Sequence, residues 1–498
     1  MNAAECLLET GADAAIAIDC GEQRICYGEL RTAVARAGGA WKDAGLKPGD
    51  RVIVFAPDGI DWVLAYLGAI WAGGVAIGVN HRLGMADLAV IVEDSLPAFI
   101  WLREAEAPAV AAIASGLSHR PTVVCANAVD GCRDWADAWE RALPMAAFSR
   151  DDEDPALWIG TSGTTGAPKG VIHAQRVVRH AHAFAAGVLG LTAADRLYST
   201  SKLFFAYALG NSLFAGLRLG ATVILDPKWS TPERVRQMLA RHAPSVLFSV
   251  PTLYNKMLQA KVASAVGSSS VRHCVSAGEA LPATVRSEWT AASGLSPISG
   301  YGTSETLCLM LRAEHDDGLL RPTPRTEVRD DEDAEAAVPR RIWLRAPTVA
   351  LGYWNRPAAE ADGFRDGWFS PGDMFLPHAD GTYEFVGRSD DLLKISGQWV
   401  STLWIEQALA TACGEVVAQL AAVGAPTADG LTAIAILAVP GTGRETAAKE
   451  CLARGIEGLP KHRRPRWVHW VDELPLTATG KLQRGRLRAL HDRLCGGD

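Results

Sequence analysis

Disulfide frameworks, zinc fingers, secretion signals and nucleic-acid surfaces all leave marks that this 498-residue sequence lacks. Its ten cysteines are scattered singly, with no CxxC pair and no metal-ligand spacing of Cys with His, so neither a disulfide framework nor a zinc site is indicated and a reducing cytoplasm fits best. Residues 1–16 carry Glu5 and Glu9 and have neither the basic start nor the apolar run of a signal peptide, which argues against export. A net charge of −7 over this length gives no electrostatic footprint for nucleic acid. The one dense basic run, Lys461, His462, Arg463, Arg464 and Arg466, reads as a solvated loop before a strand, with a contact to an anionic ligand as the functional alternative. Long apolar runs are equally scarce. Trp62 to Val79 just reaches the length of a membrane helix, but Gly73-Gly74 breaks it, leaving a buried helix over 62–71 and a buried strand over 75–79, and no membrane partner is expected. Internal repeats and low-complexity tracts are absent.

What is present is an ordinary soluble balance, 48% hydrophobic and 21% charged, in a chain too long for one core and expected to divide into two or more domains. From Arg51 onward short β-branched runs alternate with helical patterns: 52–55, the 62–79 unit, 98–102, 122–125, 221–225, 246–250 and 271–276. Such alternation predicts layered α/β architecture with largely parallel sheets, whose ligands gather at strand ends. The Asp-, Glu-, Arg- and Pro-rich 316–341 segment reads as a solvated connection, followed by strands over 341–344 and 381–386 in a smaller β-rich subdomain. A turn at 389–391 marks a boundary, after which helices over 401–413 and 445–456 and strands over 417–423, 433–439 and 466–470 predict a small α/β domain.

The most informative segment is Leu157-Trp158-Ile159-Gly160-Thr161-Ser162-Gly163-Thr164-Thr165-Gly166-Ala167-Pro168-Lys169-Gly170. Glycines let backbone amides approach an anion closely, while hydroxyls and Lys169 add donors and charge, so the segment is built like a phosphate loop. Gly170 after Lys169 excludes a Walker A loop, which needs Ser or Thr there. A buried strand precedes it, which sets it apart from a flexible Gly-Ser turn.

With this loop stand, in order, Ser276-Ala277-Gly278-Glu279, Gly300-Tyr301-Gly302-Thr303-Ser304-Glu305, Trp368 to Asp373, Gly387-Arg388-Ser389-Asp390-Asp391 and Leu474-Pro475-Leu476-Thr477-Ala478-Thr479-Gly480-Lys481. On these motifs the chain resembles the adenylate-forming superfamily of acyl-CoA synthetases, peptide-synthetase adenylation domains and luciferases. The resemblance implies a large N-terminal domain, 1–388, a hinge at 389–391 and a small mobile C-terminal α/β domain, 392–498. It implies ATP, Mg²⁺ and coenzyme A as cofactors and co-substrates and a small carboxylic acid as partner, and leaves a homodimer open. By the same resemblance Lys481 contacts the acyl carboxylate and the α-phosphate, Glu305 orients Mg²⁺ and Ser304 donates to the α-phosphate. Thr161, Ser162, Gly163, Thr164, Thr165, Gly166 and Lys169 would hold the phosphates. Tyr301 would face adenine, with Gly278, Glu279 and Ala280 on its other side and Gly302 and Thr303 beside it. Asp373 and Arg388 would take the ribose, although Ser370-Pro371-Gly372-Asp373 departs slightly from the family, where a Thr normally precedes Gly-Asp. After rotation about Asp390, Ser396, Gly397, Gln398 and Trp399 would meet coenzyme A; a plain turn is the bland alternative for these four.

The segment Lys202-Leu203-Phe204-Phe205-Ala206-Tyr207-Ala208-Leu209-Gly210-Asn211 looks like its counterpart in benzoate- and anthranilate-type CoA ligases, which implies an aryl carboxylate, with plain core packing as the alternative. Pocket candidates are Ala206, Tyr207, Ala277, Gly302, Cys308 and Leu309. Cys308 departs from those ligases, where a His commonly stands three residues after the motif Glu; a smaller, less polar side chain there would admit a bulkier or differently substituted ring, or a non-aromatic acid. Nothing nearby in sequence would make Cys308 a thiolate. The 312–341 stretch also lacks the family's usual Gly-x-Pro-x-Pro-Gly turn. Other readings are an adenylation enzyme that loads a carrier protein, a medium-chain fatty acyl-CoA ligase, and a non-catalytic adenylate binder.

Overall fold

A computed structural model of the chain describes residues 1–162, 168–313, 317–330, 338–388, 392–395, 398–427, 431–475 and 482–495. The chain divides into two compact units. The first takes Met1–Thr161, the described residues of Pro168–Arg329, and Trp343–Phe369; the second takes Ser162 and the described residues of Asp330–Ile342 and of Ser370–Asp498.

The first unit is layered α/β, as the alternating pattern predicts. One sheet runs, in spatial order, Arg321–Pro322, Leu311–Ala313, Ile298–Tyr301, His273–Ala277, Val246–Ser249, Arg196–Ser199, Thr222–Leu225, Ile16–Cys20 and Gln23–Cys26. A second runs Gly352–Tyr353, Pro168–Ala174, Pro155–Ser162, Val75–Gly78, Arg51–Phe55, Phe99–Leu102, Thr122–Cys125 and Arg133–Asp134. Their central pairings are parallel, and strands such as Val75–Gly78 and Phe99–Leu102 are buried at every position. Such strands need apolar helices on both faces. Ile60–Trp71 is one of them, with Trp62, Tyr66 and Ile70 wholly buried. It ends where the sequence breaks: Gly73, at φ +89, turns the chain and donates its amide to the Ile70 carbonyl.

The 316–341 segment differs from the solvated connection its composition suggests. Glu327–Asp330 is a strand that pairs with the strand Arg340–Arg345. Its charged residues face aromatic and ionic partners rather than water alone: within the first unit, the Arg329 guanidinium lies 4.4 Å over the Trp368 ring, and Arg345 lies 4.6 Å over the same ring while pairing with Glu327. Arginine stacked on tryptophan covers apolar ring surface while keeping its charge wet, which composition alone does not register.

In the second unit, Asp373–Pro377 and Tyr383–Arg388 form an antiparallel pair, and Leu392–Ile395 pairs with Gln398–Ser401. Ser401 caps the helix Thr402–Cys413, its hydroxyl oxygen accepting the Trp404 amide at 3.2 Å. Three strands follow, Val417–Pro426, Thr432–Pro440 and Trp467–Trp470, with the helices Glu445–Gly458 and Arg484–Cys495. These match the expected elements closely. The basic run near 461–466 is held in place: Arg463 lies 4.1 Å over the Trp404 ring and Arg464 donates to the Leu459 carbonyl at 2.9 Å. Among the described residues no helix is long and apolar enough to cross a membrane.

Candidate functional site

The strands His273–Ala277 and Ile298–Tyr301 lie side by side and parallel, with Ala277 opposite Gly300. Gly278, Glu279 and Ala280 leave the end of the first, and Gly302, Thr303, Ser304 and Glu305 leave the end of the second, where open α/β sheets expose their ligand crevices. Gly278 turns at φ +89, and the exposed Glu279 carboxylate accepts the Thr252 hydroxyl at 3.1 Å. Gly302 has no room for a side chain: a Cβ there would meet the Cys308 carbonyl oxygen at 2.8 Å. The chain folds back tightly at this point. Thr303 donates its amide to the Thr306 hydroxyl oxygen at 2.9 Å, Leu307 takes φ +61, and the Met310 amide returns to the Tyr301 carbonyl at 2.8 Å.

This fold-back presents Ser304 and Glu305, and each is held by a side chain from the other sheet. His173, on Pro168–Ala174, bonds the Ser304 carbonyl at 2.8 Å through Nε2. Burial, with Arg176 nearby, pushes its imidazole down to about 4, so the ring is neutral at pH 7 and Nε2 is the protonated nitrogen, because a carbonyl can only accept. The Glu305 carboxylate accepts the Tyr353 hydroxyl at 2.7 Å, and its carbonyl accepts the Ala350 amide at 2.8 Å. Tyr353 sits on Gly352–Tyr353, antiparallel to Pro168–Ala174 with Tyr353 opposite Val171. On that same strand Lys169 places its ammonium 5.4 Å from the centre of the Tyr353 ring, within cation–π range. Lys169, Tyr353 and Glu305 are thereby joined in a row. Thr161 is the penultimate residue of the strand Pro155–Ser162 beside it; the Ser162 side chain and Gly163, Thr164, Thr165 and Gly166 lie outside the described residues.

The acyl-pocket candidates are gathered by a different kind of bonding. Tyr207, half-buried, donates its hydroxyl to the Val275 carbonyl at 3.0 Å and meets Phe248 edge-on at 6.0 Å. Asn211, in the π-helical turn Leu209–Phe214, donates to the Tyr207 carbonyl at 3.1 Å and accepts the Leu309 amide at 3.1 Å. It ties Tyr207 to the Cys308-Leu309 edge. Leu309 closes over Gly300, where a Cβ would fall 2.4 Å from its Cδ1. Ala206 and Ala277 are buried. Cys308 is buried too, its sulfur 3.7 Å from the Ala181 carbonyl, and burial pushes its thiol up to about 12, which rules out a thiolate nucleophile at neutral pH.

In the second unit Asp373 and Arg388 face each other across their strand pair, with Nε to Oδ1 at 3.6 Å. Trp399 is exposed, and its cross-strand partner Lys394 lies 5.6 Å from its ring centre. Ser396, Gly397, Asp390, Lys481 and the Gln398 side chain lie outside the described residues. Sequence reasoning missed Tyr353, His173 and Asn211. Forty-eight residues separate Tyr353 from Glu305, and no spacing rule joins them. Asn211 did leave a signal, as a lone amide in an apolar helical run. The expected absence of Cys–His metal spacing also needs correction: His491 and Cys495 are four apart on the helix Arg484–Cys495, and His469 meets them from the strand Trp467–Trp470.

Comparison with known proteins agrees with this arrangement. The family description "AMP-binding enzyme" matches residues 8–354, and "AMP-binding enzyme C-terminal domain" matches 405–481. The chain is 39% identical to the 3-hydroxybenzoate–CoA ligase of Aromatoleum sp. (strain CIB), covering 94% of this chain and 92% of that one. It is 37% identical to the benzoate–CoA ligase of Thauera aromatica, covering 93% and 90%. Among solved structures, the anthranilate CoA ligase AuaEII in complex with anthranoyl-AMP superposes with a TM-score of 0.86 at 27% identity, over 98% of this chain and 97% of that one. A benzoate CoA ligase from Burkholderia xenovorans LB400 also gives 0.86, at 29% identity over 98% and 100%.

Proposed function

This chain belongs to the AMP-binding enzyme family, and from that membership we propose that it is an ATP-dependent, AMP-forming acid–thiol ligase that joins an aryl carboxylate, benzoate or a substituted benzoate, to coenzyme A. The observation that carries the reading is the row Lys169–Tyr353–Glu305, in which two paired strands of one sheet meet the loop that follows Ile298–Tyr301 of the other.

In the first half-reaction a carboxylate oxygen of the acid bonds the α-phosphorus of ATP as the bond to pyrophosphate breaks. Two anions must meet, so positioning and charge stabilisation dominate. Lys481 supplies positive charge at the acyl carboxylate and α-phosphate, Ser304 donates to the α-phosphate, and Thr161 to Gly166 with Lys169 hold the outer phosphates. Glu305 fits Mg²⁺, a hard ion that takes one or two carboxylates and leaves its other positions to phosphates and water, and the ion would neutralise phosphate charge. Tyr353 donates to one oxygen of Glu305, so the other would be the one to hold the ion. Tyr301 faces adenine, flanked by Gly278, Glu279 and Ala280, with Gly302 and Thr303 forming the turn beside it. Asp373 and Arg388 take the ribose. In the second half-reaction the coenzyme A sulfur attacks the acyl carbonyl and AMP leaves with the bonding electrons. A turn about Asp390 in the 389–391 hinge, between an N-terminal domain 1–388 and a C-terminal domain 392–498, exchanges Lys481 for Ser396, Gly397, Gln398 and Trp399.

The acid lies against Ala206, Tyr207, Ala277, Gly302, Cys308 and Leu309. An AMP-release assay across benzoate, hydroxybenzoates, aminobenzoates, phenylacetate and hexanoate tests this: an aryl acid should be preferred at least roughly tenfold, about 1.4 kcal/mol. Equal turnover of hexanoate refutes the pocket. Thioester formation with free coenzyme A and no carrier protein separates this reading from carrier loading.

A further inference from the structure

Apart from the nucleotide and acyl residues, the second unit brings together three side chains that the ligase reaction does not use. His469 lies on the edge strand Trp467–Trp470; His491 and Cys495 share one face of the helix Arg484–Cys495, one turn apart. His469 Nε2 is 2.9 Å from His491 Nδ1, and the Cys495 sulfur is 3.8 Å from His469 Nε2 and 3.7 Å from both nitrogens of His491. All three ligand atoms fall within 4.8 Å of one another.

We propose that His469, His491 and Cys495 form a binding site for a divalent cation of the zinc class, which fastens the last described helix to the edge strand. The donor set is chemically selective. Two imidazole nitrogens and one sulfur suit a borderline-soft ion, whereas Mg²⁺ takes oxygen ligands. The spacing fits as well. Zinc–nitrogen bonds of about 2.05 Å and a zinc–sulfur bond of about 2.3 Å at tetrahedral angles separate nitrogen from nitrogen by about 3.3 Å and sulfur from nitrogen by about 3.6 Å. The observed separations differ from these by less than about half an ångström, a change that side-chain rotation supplies. Cys495 is exposed, so its sulfur can rotate onto an ion held between the imidazoles. His491 is buried, its ring edge-on to Trp467 at 4.9 Å, so one ligand is already fixed. Three protein ligands leave the fourth position to water.

The test uses the full-length protein, freed of metal with a chelator and titrated with Zn²⁺ by calorimetry and with Co²⁺ by absorbance. One ion per chain should bind, and Co²⁺ should give a thiolate-to-metal charge-transfer band. Cys495→Ser, at an exposed position, should abolish that band and weaken Zn²⁺ binding at least about tenfold. His469→Gln should weaken Zn²⁺ binding to a similar degree while sparing the ligase reaction, which reports that the variant has folded. Zn²⁺ should raise the melting temperature of the wild type and of neither variant. Absence of the band, or Zn²⁺ binding and melting shifts that both variants retain, overturns the site and leaves the trio as a hydrogen-bonded helix anchor.

Discussion

The crevice beyond the strands His273–Ala277 and Ile298–Tyr301 has two flanks built on opposite principles. On one, Ser304 and Glu305 are half-exposed polar groups held from the other sheet of the unit, His173 bonding the Ser304 carbonyl and Tyr353 the Glu305 carboxylate. On the other, Tyr207, Ala277, Cys308 and Leu309 are a packed wall in which polar atoms are satisfied internally. The first flank suits charge, which requires a particular residue at a particular point. The second suits shape, which many combinations of side chains can provide. Substitution should therefore act on rate on the first flank and on stability and selectivity on the second.

The largest effect on rate is expected at Lys481, the residue proposed above to supply charge in the first half-reaction. Lys481→Ala should slow acid-dependent pyrophosphate exchange by ~10²–10³-fold, as loss of one stabiliser of developing charge does, and leave thioester formation from supplied benzoyl-AMP within about threefold. Equal loss in both assays would contradict the division of labour between the two half-reactions. Next comes Tyr353→Phe, which keeps the ring facing Lys169 and deletes the bond to Glu305. A hydrogen bond to a charged group contributes about 1.5–3 kcal/mol, so turnover should fall by roughly 10- to 100-fold, with a higher Mg²⁺ requirement and little change in the KM for benzoate. An unchanged Mg²⁺ dependence would remove Tyr353 from the ion's surroundings.

These two residues mark how far the sequence could be read. Lys481, Glu305 and the Thr161–Gly170 loop each belong to a contiguous motif, which a reading of the sequence can find. Tyr353 reaches Glu305 by a side-chain bond from the edge strand of the other sheet, and no local pattern records which edge strand will lie beside which loop. The fold was legible for a related reason: helix Ile60–Trp71 and strand Val75–Gly78 are written as periodicity plus a glycine break. The strand Glu327–Asp330 was not, because its charges are stabilised by Trp368 and Arg345, which arrive from later in the chain.

His173 offers a third way to sharpen the comparison, by pH. Its imidazole titrates near 4 in the folded chain and near 6.5 when unfolded. Between those values the unfolded state binds more protons, so this stabilisation is complete above about 6.5 and is lost as pH falls toward 4. His173→Gln should keep a donor to the Ser304 carbonyl yet flatten the acid limb of the stability curve by an order of 1–2 kcal/mol, measured by urea unfolding from pH 7 to pH 4.5. An acid limb identical to that of the wild type would place the proton uptake elsewhere.

Cys308 should give the smallest effect, and its sign tests the second flank. The sulfur fills space between the Ala181 carbonyl and the helix that carries Gly210, where a Cβ would lie 3.1 Å from it. Cys308→Ala therefore removes wall volume and the thiol's weak bond to the Ala181 carbonyl, for a cost of about 1 kcal/mol in stability. If the wall bounds the ring, kcat/KM should shift by about threefold toward bulkier substituted benzoates relative to benzoate, with the KM for ATP unchanged. A shift in the KM for ATP would mean that shape and charge share this fold-back after all, because Gly302 and Cys308 are pressed together at its base.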